Sequence, residues 1–485
     1  MLNIYVLVLA TIVLVLMSVS LAQLRKVKTK TDYLVAGRSL PARVLVFTLL
    51  SSWIGAGSLF AGAENAFKNG FAALWQPGGG WAGLLVILFV APRARKFAQF
   101  TIPDLLEARY NAAARVLGTI AILFAFTAIT SYQFKGGGDI LHLAFGIDST
   151  LGMYIIATFV IVFTALAGMS SVAYMDVVIG MLITVTCFLA APALLYRVGG
   201  WSGAHQTLPA DRFQVLGHLT FTRAMEFFLP TFLLMLGNQT MYQKFFSARS
   251  EKDARNAVFG WIGGTLVLET LIVAIAVFGS ALYGEHAANG GVAELIAHPR
   301  ETIPYVARHG LPQLVGALLL GAIFAKVIST ANNYLFSPAT NLVNDVYLRF
   351  IKKDASNRSV LLVSRVVVVL LGFFALFQGA YWESILAMAL YAYTIYSAAV
   401  TPAVMAAFFW KRATAAGAVA CLGLGTLVTI FWDYGKAYLP PSWAERDAIF
   451  PALIVSVVAL VVVSLLTPAP PREKLAAFYP EEELR

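Results

Sequence analysis

Apolar runs long enough to cross a lipid bilayer recur thirteen times along this chain, near 2–22, 44–66, 72–92, 114–145, 150–168, 172–197, 221–243, 258–283, 312–345, 360–380, 382–410, 414–432 and 448–467. About 20 apolar residues carry a helix through the hydrocarbon. A backbone there has no water to bond, so only helices and closed barrels cross it. Barrel strands alternate polar and apolar over about ten residues, whereas these runs are continuous. The expected fold is therefore all-α, a polytopic membrane protein of about 13 transmembrane helices in a lipid bilayer. Composition agrees: 59% of residues are apolar and 12% charged, against ~45–50% and ~25% in soluble domains. The net charge of +10 calls for no nucleic acid, because basic residues collect in the cytoplasmic loops of membrane proteins. Cys187 and Cys421 both fall inside apolar runs and form no disulfide framework. Leu2 to Ala22 is long enough to span and lacks an A-x-A-like cleavage site, so it is expected to remain as a helix.

Basic residues predict the orientation. Arg25, Lys26, Lys28, Lys30, Arg38 and Arg43 lie in the first connection, Arg93, Arg95, Lys96 and Arg109 in the third, and Lys244, Arg249, Lys252 and Arg255 in the seventh. Arg349, Lys352, Lys353 and Arg358 follow in the ninth, and Lys411 and Arg412 in the eleventh. The alternate connections hold one or two, such as Lys68, or Arg197 and Arg212. The positive-inside rule then puts the N-terminus outside and the C-terminus inside a bacterial cytoplasmic membrane.

One apolar run, Leu314 to Leu335, contains Lys326, Ser329, Thr330 and Asn333. At i, i+3, i+4 and i+7 they share one helix face. A lysine at mid-bilayer costs about 2.5–3.5 kcal/mol on insertion scales, so it should face protein or water and mark a functional site. Helix–helix glue by hydroxyl and amide groups is the alternative. A second candidate is Ser51 to Ser58, whose Gly55-Ala56-Gly57 either lets helices pack closely or unwinds to offer carbonyls to a cation. Hydroxyl and carbonyl oxygens suit Na⁺, and no Cys/His pair stands at soft-metal spacing.

The second to sixth runs form one group of five and the seventh to eleventh another. Five is odd, so the groups have opposite orientations, the inverted-repeat plan of secondary transporters. The first helix of each half is expected to be broken, one around Gly55-Ala56-Gly57 and Gly62, the other around Pro230 and Gly237-Asn238-Gln239-Thr240. The whole is one transporter domain: an extra helix and loop over 1–43, repeats over 44–198 and 221–410, and two helices with a short tail over 411–485.

Four motifs carry a resemblance: Ser51-Ser52-Trp53-Ile54-Gly55-Ala56, Thr101 to Tyr110, Ile328-Ser329-Thr330 with Asn344-Asp345-Val346-Tyr347, and Trp410-Lys411-Arg412-Ala413-Thr414-Ala415-Ala416-Gly417-Ala418. With them the chain resembles the solute:sodium symporter family, a branch of the LeuT-type 5+5 inverted-repeat fold. The resemblance implies a Na⁺ site made of the backbone carbonyls of Ser51, Ile54 and Lys326 and the hydroxyls of Ser329 and Thr330. A lysine departs from the small residue usual at 326, and its ammonium ~4 Å from Na⁺ is repelled by about 4 kcal/mol at an effective dielectric of 20. It therefore points away toward Asp176, or changes charge between states, or replaces the ion. Some relatives use an aspartate at the place of Asp176 for a second Na⁺, and Asn332 and Asn333 stand here where serines complete that site. A Lys326–Asp176 ion pair is the competing expectation. For the solute, the resemblance implies Trp53, Ser58, Gln76 and Thr231. The acidic sugar-binding position of sugar carriers falls at Pro77 and a binding glutamine at Ser58, which argues against a hexose. Lys135 either binds an anionic solute or pairs with Asp139 at i+4, and Glu269, mid-span, is a further candidate.

The function expected is a Na⁺-coupled symporter importing a small polar organic solute by alternating access, with no chemistry catalysed. Within transport, the alternative is a sodium-independent or proton-linked carrier with Lys326 in the ion's place. From another class comes a membrane sensor, which needs an output domain, and about eighteen residues follow the last run. The solute and the oligomeric state are not written in the sequence.

Overall fold

In hydrocarbon every backbone N–H and C=O must be satisfied within the chain, and this chain does so with helices. The computed structural model describes residues 4–24, 29–97, 100–166, 169–288, 290–380 and 384–479. Among them the only β pairing is an isolated bridge between Leu40 and Ala248. Arg25, Lys26 and Lys28, used above for orientation, lie outside the described residues.

The principal helices are α1 (Ile4–Leu24), α2 (Ala42–Trp53), α3 (Gly62–Asn69), α4 (Trp75–Phe97), α5 (Ile102–Arg109), α6 (Ala112–Phe145), α7 (Ser149–Leu166) and α8 (Met169–Arg197). There follow α9 (Phe221–Gly237), α10 (Gln239–Ser247), α11 (Glu251–Tyr283), α12 (Gln313–Asn341), α13 (Asn357–Gly379), α14 (Ile385–Phe409), α15 (Ala415–Gly435) and α16 (Ile449–Leu466). Among the described residues, ten helical stretches are long and apolar enough to cross a membrane. The expected count of thirteen spans is not confirmed by length and composition alone. Two apolar helices, Ile4–Val19 and Ala42–Trp53, are shorter, and the run expected over 221–243 is split into α9 and α10.

The splits fall where small and polar residues interrupt the apolar pattern. After α2, Ile54 is extended (φ −79°, ψ 113°), and the chain re-enters helix through a π-helical turn, Gly57–Ala61, that runs into α3. After α9, Asn238 takes nearly the same conformation (φ −62°, ψ 113°), and its side chain caps α10 by accepting from the amide of Thr240. Gly62 and Pro230, also expected to interrupt, stay inside helices. Proline lacks an N–H but is tolerated inside membrane helices; Ser397 Oγ donates to Pro230's own carbonyl at 2.8 Å.

Helix α8 packs between α2 and α12, and α1 lies across α8 and α12. Leu16 of α1 joins Met175, Ile179 and Ala325 in one apolar cluster, which closes the outer side of that seam. At the opposite end of the bundle the sequence motifs meet. Arg115 is paired with Asp104 and Glu107 and, at 3.0 Å, with Asp345, while Arg349 takes the other oxygen of Glu107 at 2.7 Å. Arg109 donates to the carbonyls of Trp410 and Lys411. The loop helix α5 is thereby fixed to α6, to the end of α12 and to the Trp410-Lys411-Arg412 turn.

Candidate functional site

Where α2 breaks, its last carbonyls lose their helical partners, and α12 supplies replacements. Thr330 Oγ1 donates to the carbonyls of Ser51 at 3.1 Å and Ile54 at 3.2 Å. The amide of Ala56 donates to Gln133 Oε1 of α6 at 2.8 Å. Gly55 permits the approach, since a Cβ there would stand 2.7 Å from Thr330 Cγ2 and 2.9 Å from Gln133 Nε2. Gln133 was not singled out from sequence. Its signal was a polar amide within the apolar Ile129 to Ile140 run.

One turn before Thr330, Lys326 is 0% exposed. Its Nζ donates to the carbonyl of Leu50 at 3.2 Å and to Ser51 Oγ at 2.9 Å. Asp176, also fully buried, accepts from Thr48 Oγ1 at 2.5 Å, from Ser329 Oγ, and from Asn333 Nδ2 at 3.4 Å. The expected Lys326–Asp176 ion pair is absent: no ammonium–carboxylate contact within 4 Å forms. The Leu50 carbonyl, which also accepts from the amide of Ile54, and Ser51 Oγ hold the ammonium, and hydroxyls satisfy the carboxylate. Asn332, expected beside Asp176, faces α7 instead, its Oδ1 accepting from Thr164 Oγ1 at 2.6 Å. Neighbours on a helix point about 100° apart, so only Asn333 reaches Asp176.

A second buried ammonium completes the cluster. Lys244, assigned from sequence to a cytoplasmic connection, lies in α10 at 0% exposure. Its Nζ donates to Ser52 Oγ and, at 2.8 Å, to Asn333 Oδ1. The break at Asn238 is the cause, because it turns α10 inward across the end of α2.

The oxygens of Ser51, Ile54 and Thr330, with Ser329 adjacent, are uncharged, hard and convergent, which fits a monovalent cation. Ser329 is committed to Asp176 here, and the Lys326 ammonium borders the set.

Beside the break lies a small cavity. It brings together four of the five expected solute residues, Trp53, Ser58, Gln76 and Thr231, with Pro77 and Tyr393 beside them. The fifth, Lys135, lines a separate and wider cavity with Lys68, Asp139 and Arg300. Asp139 pairs there with Arg300, whose Nε lies 3.1 Å from its carboxylate. Next to Arg300, Glu301 of the connection between α11 and α12 is held protonated further than usual, its pKa pushed up to about 7 by burial and then by the charge of Asp139.

Glu269 is the ionisable group of the central cavity. Its Oε1 accepts from Trp53 Nε1 at 3.0 Å and Ser58 Oγ at 3.3 Å, and its Oε2 from Trp81 Nε1 at 3.0 Å. The side chain belongs to a residue 4% exposed, and among the described residues no basic nitrogen lies within 4 Å of it.

Comparison with known proteins identifies the family. The model of the sodium:solute symporter family matches residues 33–425. The osmoregulated proline transporter OpuE of Bacillus subtilis is 24% identical over 482 residues, covering 95% of this chain and 94% of its own. A sodium/proline symporter of Staphylococcus aureus is 25% identical, covering 94% of this chain and 91% of its own. Among solved structures, a Na⁺-coupled sialic acid symporter superposes with a TM-score of 0.81 at 18% identity over 96% of this chain and 98% of its own. A nucleobase-cation-symport-1 family transporter superposes with a TM-score of 0.58 over 93% of this chain and 99% of its own.

Proposed function

The chain belongs to the sodium:solute symporter family, and from that premise we propose that it imports a small amine-bearing organic solute, of the amino- or imino-acid kind, with Glu269 binding the protonated nitrogen. Sodium-coupled transport through the cell membrane, not catalysis, is the family's activity, and the fold is of the LeuT type. The carrying observation is Glu269: a buried carboxylate facing the cavity, held by three neutral donors and lacking a cation. Burying a charge without a partner is costly, and a solute ammonium supplies one. Its acceptor sites are not exhausted, because a carboxylate has about four and three are used. The relatives named for proline transport are in keeping with such a solute.

Na⁺ binds, in this proposal, between the carbonyls of Ser51, Ile54 and Lys326 and the hydroxyls of Ser329 and Thr330. It thereby joins the broken α2 to α12 and steadies Trp53 and Ser58, which hold Glu269 toward the solute. Rocking of the α2–α4 and α9–α11 helices against the rest exposes the cavity to either side in turn. The repeats at 44–198 and 221–410 and the N-out, C-in orientation are part of the same proposal.

The test is thermal stabilisation of the purified protein by amino acids, sugars and carboxylates, in Na⁺ and in choline; a ligand that binds only the folded state raises the melting temperature. Stabilisation by an amine-bearing solute in Na⁺, abolished in Glu269→Gln, is expected. Uncharged sugars stabilising as well as amines removes the amine assignment. Transport undiminished in choline gives the ion's role to the Lys326 ammonium.

A further inference from the structure

A fully buried ammonium borders the oxygens proposed for the ion. Lys326 Nζ is bonded to the carbonyl of Leu50 and to Ser51 Oγ. The carbonyl of Ser51, on the same residue, shares the Thr330 hydroxyl with the carbonyl of Ile54. Across the cluster the Lys244 ammonium binds Ser52 and Asn333. Two ammonium groups and one carboxylate, Asp176, are therefore enclosed together, a formal excess of one positive charge before any ion arrives.

We propose that Lys326 is a tethered competitor of Na⁺: its ammonium stands on Leu50 and Ser51 at the edge of the seat in the conformation described, and Na⁺ enters as the ammonium withdraws toward Asp176. The inference rests on the Na⁺ seat proposed above. Like charges at this separation repel strongly inside a protein, so the two cations do not share the seat. The lysine stem has four flexible carbons, long enough to leave Leu50 and Ser51 without moving α12. Asp176 is the carboxylate of the cluster, and its present partners are all neutral hydroxyl and amide groups. An ammonium gained there exchanges a neutral partner for a charge-assisted one. The consequence is a Na⁺ affinity held low by the protein itself.

The measurement is the melting temperature of purified full-length protein against Na⁺ concentration, with choline keeping ionic strength constant and no solute present. In Lys326→Ala and Lys326→Met the Na⁺ concentration for half-maximal stabilisation should fall at least tenfold, and Lys326→Arg, which keeps the charge, should not tighten Na⁺. A neutral variant that folds and needs as much Na⁺ as the native protein overturns the proposal. So does failure of Lys326→Ala, Lys326→Met and Lys326→Gln all to fold in saturating Na⁺, since a mere competitor is dispensable once the ion fills the seat. Should the native protein ignore Na⁺ while Lys326→Ala responds to it, competition stands and the Na⁺-coupled reading fails.

Discussion

A single β-carbon at position 55 tests the ion seat more sharply than removal of any one oxygen. It would lie 2.7–2.9 Å from Thr330 and Gln133, forcing the hydroxyl off the carbonyls of Ser51 and Ile54. Gly55→Ala should weaken Na⁺-dependent stabilisation tenfold or more, and an unchanged Na⁺ titration would falsify the assignment of Thr330. Residues of this kind were only partly legible in the sequence. Lys326 announced itself, because a lysine has no cheap place in a membrane helix. Lys244 did not: Lys244-Phe245-Phe246-Ser247-Ala248-Arg249 resembles the basic edge of a membrane span, and its partner Ser52 lies 192 positions away. Glu269 was visible as a mid-span charge, but nothing local paired it with Trp53 and Trp81.

At the scale of elements, loop helix α5 is held by Arg115, which faces Asp104, Glu107 and Asp345 at once. Arg115→Ala leaves these carboxylates crowded without their cation. Breaking a buried pair costs about 3–5 kcal/mol, and the partial exposure of Glu107 places this variant toward the lower end. A large fall in melting temperature is expected, with Arg115→Lys recovering part of it; equal stability of Arg115→Ala and the native protein would refute the role. The connection between α11 and α12 gives a pH-dependent case. Glu301 titrates near 7 when folded against 4.5 for an ordinary glutamate, so the folded state binds the extra proton. Its stabilising contribution is complete below about 4.5 and is lost as pH rises through about 7. Asp139, Arg300, His142 and Glu294 share that surface and shape the curve. Replacing Glu301 by Gln should flatten the decline in melting temperature between those values, and a curve unchanged by the substitution rules the group out. The spans themselves were legible because apolar length is a local property. Which interruption actually breaks a helix was not: Gly55 and Asn238 sit at breaks while Gly62 and Pro230 do not, and the partner at the first break, Gln133, lies on another helix.

For the whole molecule, the proposed ion and solute sites meet through one element, the broken α2. Trp53 and Ser58, on either side of the break, hold Glu269 in the cavity, while Ser51 and Ile54 between and before them offer their carbonyls to α12. Linkage then requires that Na⁺ raise solute affinity by the factor by which solute raises Na⁺ affinity. Paired titrations of the melting temperature should return equal factors above one, and factors of one would separate the sites. The all-helical plan was evident from the chain alone, and so was the pairing of two interrupted helices; their near-identical backbone angles at Ile54 and Asn238 were not.

Those two extended residues stand as elbows between the paired helices they join. The rod on one side of an elbow can tilt while its continuation keeps still, so a mouth on one face of the membrane need not gape when the other does, and the interior is spared a continuous leak.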